Sequence, residues 1–423
     1  MYLSGSKWNL RRKRRRSSPW RILLILVFIA AAIYFWQIYI PTIPPPFIPT
    51  PTPTRSPASY VLEAESLFEA GKLNQAEEAY LEAIVADPRE PAHYIELARV
   101  RMFAGKFEEA ETSARDALVL NPDSALAHAF LAWSLDFQAG DAEDPVIKNE
   151  LLVAALLAAE TAADINPNLA EAQAIFAEIL IDTNLENYED ALEHARSAVA
   201  IDNTSLEAHR ALAYVWEMTG NRELALESYL AARSLNSFLP RLHLDIGNMM
   251  RAMGDYDGAR ESYLNAVALS PTSTEPLTYL VQLYAGIGEY GVAGQYARNA
   301  VELDPANPRL RGNLGRMYYH NGVLDEAIIQ FNLAIRGGQS LEGEWVDGLP
   351  LKKEDLRIVE FYYTFGLALA KRNLCEEAIQ IFEAILLTVP DDEIAVFNAQ
   401  EGLILCGELE RLPTPTPEST PAS

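Results

Sequence analysis

The chain has 423 residues, 49% of them hydrophobic, enough to bury a large core as one long array or as two to three domains. Its glycine, proline and charged fractions are ordinary, so most of it is expected to fold. The formal net charge of −25 is split: the first 21 residues hold eight Lys/Arg and no Asp/Glu, so the rest carries −33. An acidic body of that size repels phosphate backbones, which argues against a nucleic-acid partner.

The first predicted element is a membrane anchor. Residues 1–21 form a basic segment ending in RRKRRRSSPWR. The run ILLILVFIAAAIYFWQIYI follows, Ile22 to Ile40, with Gln37 its single polar residue. Nineteen helical residues at about 1.5 Å each reach about 28 Å, close to the hydrocarbon thickness of a bilayer. The basic flank is expected to stay cytoplasmic and to place residues 41–423 outside the cytoplasm. A cleaved signal peptide competes, because Ala30 and Ala32 form an A-x-A pattern. The apolar run continues past it, however, and Tyr34, Phe35, Trp36 and Tyr39 suit the outer interface of an uncleaved single-pass helix. Residues 41–59 carry eight prolines and read as an extended polyproline spacer, and the proline- and threonine-rich tail at 412–423 has nothing to bury.

Between these segments one pattern is written nine times. Aligning GDYDGARESYLNAVALSP (Gly254 to Pro271) along the chain gives unit starts at Pro57, Pro91, Ala125, Ala170, Leu206, Pro240, Thr274, Pro308 and Val359, most of them 34 residues apart. An alanine recurs at mid-unit, as Ala76, Ala110, Ala155, Ala191, Ala225, Ala259, Ala293, Ala327 and Ala378. Another follows seven residues later, with Ile385 replacing it in unit nine. Each unit shows two apolar-periodic stretches around a short turn. Gly71, Gly105, Gly220, Gly254, Gly288 and Gly322 fall at that turn, where a left-handed backbone suits glycine. The small residues sit where two antiparallel helices must approach closely. Unit three carries about eleven extra residues around GDAEDPVIKNE, and residues 342–358 intervene before unit nine. Both insertions are expected in turns.

This 34-residue spacing of small, Tyr, Ala, Phe, Ala and Pro resembles the tetratricopeptide repeat (TPR) superfamily, here in a membrane-anchored bacterial-type arrangement. The resemblance implies an all-α, right-handed superhelical solenoid of about nine helix-turn-helix repeats over residues 57–392. A capping helix at 393–411 would close it, and one transmembrane helix would precede it. It also implies a scaffold that binds a protein or peptide partner and organises a complex at the extracytoplasmic face of the cell envelope. A structural or assembly role in an envelope or secretion machinery is the alternative.

GxxxxGK[ST], HExxH and GxSxG are all missing, and no histidine pair has metal-ligand spacing, so no enzyme, cofactor or metal is expected. An enzyme site hidden in the insertions is the remaining alternative. His128, His209 and His243 share one repeat position and read as packing residues. In this family the first helix of each unit lines the groove through its second, fifth, ninth and twelfth residues. Those positions carry Arg210 in unit five, Arg241, Asn248 and Arg251 in unit six, Gln282 in unit seven, and Arg309 and Arg316 in unit eight. Asn248, Arg309 and Asn313 also match part of the two-carboxylate clamp of chaperone-binding relatives, although Leu244 and Tyr279 replace its expected Lys and Asn. The cationic and amide groups imply an acidic segment or a chain terminus as ligand; the alternative is that these arginines pair with groove acids such as Glu207, Glu217 and Glu275. Cys375 and Cys406 are the only cysteines. They are readable either as a disulfide pair or as two small buried apolar residues.

Overall fold

The computed structural model describes residues 18–35, 37, 55–142, 144–341 and 343–408. Most of the basic segment, most of the proline spacer, the last residues of the expected anchor and the C-terminal tail lie outside them. The chain divides into two compact units, residues 1–55 and 56–423. In the first, helix α1 (Pro19–Tyr34) is 16 residues long, and its residues are exposed. Among the described residues no helix is long and apolar enough to cross a membrane.

The second unit is a stack of helical hairpins. In chain order they are α2 (Pro57–Glu69) with α3 (Leu73–Ala86), α4 (Pro91–Phe103) with α5 (Phe107–Leu120), and α6 (Ala125–Asp141) with α7 (Pro145–Ile165). Next come α8 (Ala170–Thr183) with α9 (Tyr188–Ile201), α10 (Leu206–Met218) with α11 (Arg222–Leu235), and α12 (Pro240–Ala252) with α13 (Tyr256–Leu269). The stack continues with α14 (Glu275–Gly286) and α15 (Tyr290–Leu303), α16 (Pro308–His320) and α17 (Leu324–Arg336), and α18 (Leu356–Lys371) and α19 (Cys375–Thr388). Helix α20 (Glu393–Leu405) closes it.

Steric fit between the paired helices sets their distance. The mid-unit alanines from Ala76 to Ala378 are all fully buried. In units six, eight and nine the glycine of the first helix receives an aromatic ring from the second: a Cβ built on Gly247 would meet the Tyr263 ring, one on Gly366 would lie 2.5 Å from Phe382 Cε1, and one on Gly315 3.0 Å from Phe331. The hairpin turns at the six repeat glycines close by the pattern seen at Gly71, where the Gly71 amide donates to the Phe68 carbonyl and the Lys72 amide to that of Leu67. These bonds satisfy the last carbonyls of α2 and require the left-handed glycine. Asn373 takes that role in unit nine, with φ +60°.

Consecutive units are joined by a second recurring bond. The fourth residue of a first helix reaches the carbonyl six residues back: Tyr94 to Pro88, His128 to Pro122, Gln173 to Pro167, His209 to Asn203, His243 to Ser237 and Arg311 to Pro305. The histidines of this position are therefore loop fasteners.

Three expectations are corrected. The extra residues of unit three do not form a loop; they lengthen α6 to 17 residues and α7 to 21. The insertion before unit nine breaks the all-α pattern with a small antiparallel hairpin, β1 (Gly338–Gln339) and β2 (Trp345–Val346), and its last residues already belong to α18. The capping helix stops at Leu405, where the left-handed Gly407 follows. Cys375 and Cys406 form a disulfide between the start of α19 and the end of α20, with Cα atoms 5.4 Å apart.

Candidate binding cavity inside the superhelix

The first helices of units three to six face inward, and the array curls until its first unit meets the loop after α11. The Asn236 side-chain amide donates to the Phe68 carbonyl at 3.2 Å, across 168 residues of sequence. A Cβ on Gly71 would lie 2.7 Å from Phe238 Cβ and nearer still to the Phe238 carbonyl oxygen. Arg99 on α4 reaches Glu207 on α10 at 2.6 Å, reinforcing the same closure. The curl forms a half-open cavity of about 1220 Å³, lined by residues of units one to seven. That exceeds the usual range of about 300–1,000 Å³ for small-molecule sites.

Three of the eight residues read from sequence line this cavity: Arg210, Arg241 and Asn248. Arg210 is only 4% exposed, binds both oxygens of Glu178 and lies 4.4 Å over the Trp133 ring. Arg241 pairs with Asp245 at 3.1 Å and Glu275 at 3.6 Å and sits over Phe137. Asn248 accepts the Tyr263 hydroxyl at 2.7 Å. The others lie outside the cavity lining. Arg251 is half-buried close to Tyr263, and Gln282 and Asn313 are half-buried on their own helices. Arg309 pairs with Asp355 at 2.7 Å and Arg316 with Glu360 at 3.0 Å. Four of the five arginines thus already hold carboxylates of this chain.

Of the groove acids read from sequence, Glu217 and Glu275 line the cavity, and Glu275 pairs with Arg241; sequence reasoning missed the other carboxylates. The lining contains seven carboxylates, Asp136, Asp141, Glu178, Asp182, Glu217, Asp245 and Glu275, against the cations Lys72, Lys148, Arg210 and Arg241. Burial pushes the Glu178 carboxyl up to about 7 despite the opposing pull of Arg210. It raises Asp136 well above the usual range, helped by the neighbouring Asp182 and Glu178. Asp182 is also raised by burial, although the Tyr214 hydroxyl donates to it at 2.5 Å. The signal was available: in unit three the ninth and twelfth residues of the first helix are Trp133 and Asp136, in unit four the ninth is Glu178, and in unit five the ninth and twelfth are Tyr214 and Glu217.

A tetratricopeptide repeat family model matches residues 61–102, 95–144, 244–308 and 280–341. A comparison with curated protein sequences finds no match. Among solved structures, the human IFIT1 dimer with PPP-AAAA is 17% identical, covering 82% of each chain with a TM-score of 0.54. The Cut9–Hcn1 hetero-tetramer of the APC/C is 14% identical over 89% of this chain and 82% of its own, with a TM-score of 0.51. A thermophilic TPR protein of Thermus thermophilus is 19% identical over 46% of this chain and 100% of its own, at 0.40. At these identities the likeness concerns the fold. The segments matched are similar to tetratricopeptide repeats, and the two neighbours with TM-scores above 0.5 share the helical-repeat fold.

Proposed function

We propose that this chain is a membrane-tethered scaffold that holds a segment of a partner protein inside its superhelix, on the extracytoplasmic side of the cell envelope. The observation that carries the reading is the cavity of about 1220 Å³ lined by inward-facing helices, which has room for several residues of extended chain and contains aromatic, amide and charged groups rather than a sealed apolar core. The compartment is supported by the Cys375–Cys406 disulfide, since such bonds persist in oxidising surroundings. The tether is supported by the apolar run from Ile22 to Ile40 behind a basic flank.

A photo-crosslinking residue at Tyr279, on the cavity wall, is expected to capture a partner in native membranes that the same probe at the outer-face Glu160 does not. Identical captures from both positions would overturn the scaffold reading. Protease added to intact cells is expected to digest the body while sparing residues before the anchor; a fully protected body would overturn the topology.

A further inference from the structure

Helix α20 stands where the first helix of a tenth unit would be. Gly407 lies one 34-residue period after Asn373 and shares its left-handed backbone. Its turn closes as the others do: the Gly407 amide donates to the Ile404 carbonyl and the Glu408 amide to that of Leu403. In the seven units that use this turn, a second helix starts two residues later, which here would be at Leu409. The sequence from that point, LERLPTPTP, carries Pro413, Pro415 and Pro417, and such prolines are incompatible with a helix interior. The chain therefore does not supply the helix that its own turn prepares for.

The side of α20 left open is apolar. Ala395, Ala399, Gly402 and Leu403 are buried against the solenoid. On the opposite side Ile394, Phe397 and Leu405 are 65%, 62% and 52% exposed, with Ile404 half-buried beside them. Spacings of i, i+3, i+10 and i+11 put these four on one stripe. A helix apolar on both sides is ordinarily buried, and the end of a solenoid ordinarily turns a polar face outward. Unit eight shows what this side meets inside the array: a Cβ on Gly312, the counterpart of Phe397, would strike the ring of Phe361 on the next first helix.

Charge selects the occupant. Asp391, Asp392 and Glu393 stand at one end of the stripe, Glu408 at the other, and Glu401 between them. Lys371 and Arg372, the last cations before α20 in the sequence, reach back to Tyr319 and Asp325 of unit eight. Only Arg411 follows them. A second copy of α20 laid across the first would set these acids against their own counterparts, whereas a helix with one apolar side and lysines or arginines along its flanks matches both stripe and rim.

We propose that the outer side of α20 docks a basic amphipathic helix of a partner protein, which takes the place of the next helix of the array. This surface is separate from the cavity, whose lining contains no residue of α20, and it does not depend on what the cavity holds.

The test uses the full-length protein in nonionic detergent micelles and follows hydrogen exchange in α20, so that peptide bound elsewhere on the chain does not register. The probe is a leucine/lysine peptide of about 14 residues with its leucines on one helical side. A leucine/glutamate peptide of the same pattern and a leucine/lysine peptide with its leucines scattered serve as comparisons. The patterned lysine peptide is expected to slow exchange in α20, and the other two are not. Phe397→Asp is expected to raise the concentration needed for half-protection about tenfold or more, as loss of an aromatic anchor does. Leu157→Asp, at an apolar site of α7 that is 65% exposed, is expected to change it less than about twofold. Thermal melts confirm that both variants are folded. Protection by the glutamate or scattered peptide equal to that by the patterned lysine peptide would overturn the proposal, as would protection unaffected by Phe397→Asp or absent with all three. Dimers of the parent protein that Phe397→Asp dissolves would assign the surface to a second copy instead. Faster exchange in α20 after removal of residues 409–423, with no peptide present, would assign it to the chain's own tail. Either result overturns the proposal.

Discussion

At Gly71 and Gly105 the same left-handed turn serves two different purposes. Their φ angles are +70° and +74°, but a Cβ at Gly105 meets nothing within 4 Å, whereas at Gly71 it meets the Phe238 backbone. Gly105→Ala is expected to cost about 1–2 kcal/mol, the backbone penalty alone. Gly71→Ala is expected to cost more, because a distant piece of main chain must also move; equal losses in thermal or urea melts would remove the closure contact from consideration. A second prediction at this scale concerns Asp136. Its pKa is raised in the folded state, so the folded protein binds the proton more tightly than the unfolded chain. Stability from this group is thus present at low pH and lost as pH rises through the raised pKa. Asp136→Asn is expected to raise the melting temperature at about pH 8, with the gain shrinking toward about pH 5. A gain independent of pH would mean that the carboxylate is not the cause.

At the scale of elements, the sequence places helix starts well, because prolines and capping residues mark them. Helices begin at Pro57, Pro91, Ala125, Ala170, Leu206, Pro240 and Pro308. The eleven extra residues of unit three were harder to read: glycine and two aspartates suggest a loop, yet Asp144 caps α7 through the Val146 amide, Pro145 occupies the first turn, and both helices extend. The disulfide ties α20 to the last repeat, while Phe382 lies between Gly366 and Gly402, where an added Cβ on either would strike its ring. A closed loop of 31 residues corresponds to roughly 3–4 kcal/mol in the chain-entropy account. Cys406→Ser is expected to speed hydrogen exchange throughout α20 while leaving α2–α5 unchanged. Unaltered exchange in α20 would show that packing around Phe382 suffices.

On the scale of the whole array, stability in a solenoid ordinarily passes only between neighbouring repeats. Here unit one also touches the loop after α11 through Asn236 and Phe238. Destabilising Gly71 is therefore expected to quicken hydrogen exchange at residues 236–240 and the start of α12, whereas Gly105→Ala leaves them untouched. Exchange that spreads only into units two and three would mark the array as one-dimensional and its cavity as an open groove. The −33 outside the first 21 residues acts at this scale too, since it explains why almost every groove arginine has found an acid within the chain.

The sequence by itself determined what depends on local spacing: the repeat period, the helical pairs, the small residues between them and the glycine turns. Each follows from steric fit within some 34 residues, and the pattern is repeated often enough to be read. Only the tertiary structure decided how tightly the array curls, because that is the sum of small rotations between units whose lengths differ. The curl brings Phe68 to Asn236 and Arg99 to Glu207, and it deepens a surface groove into a half-open cavity. It also decided the charge of the site. The arginines at groove positions suggested an acidic ligand when read one helix at a time; in space Arg210 holds Glu178 and Arg241 holds Asp245 and Glu275, among seven carboxylates of the lining.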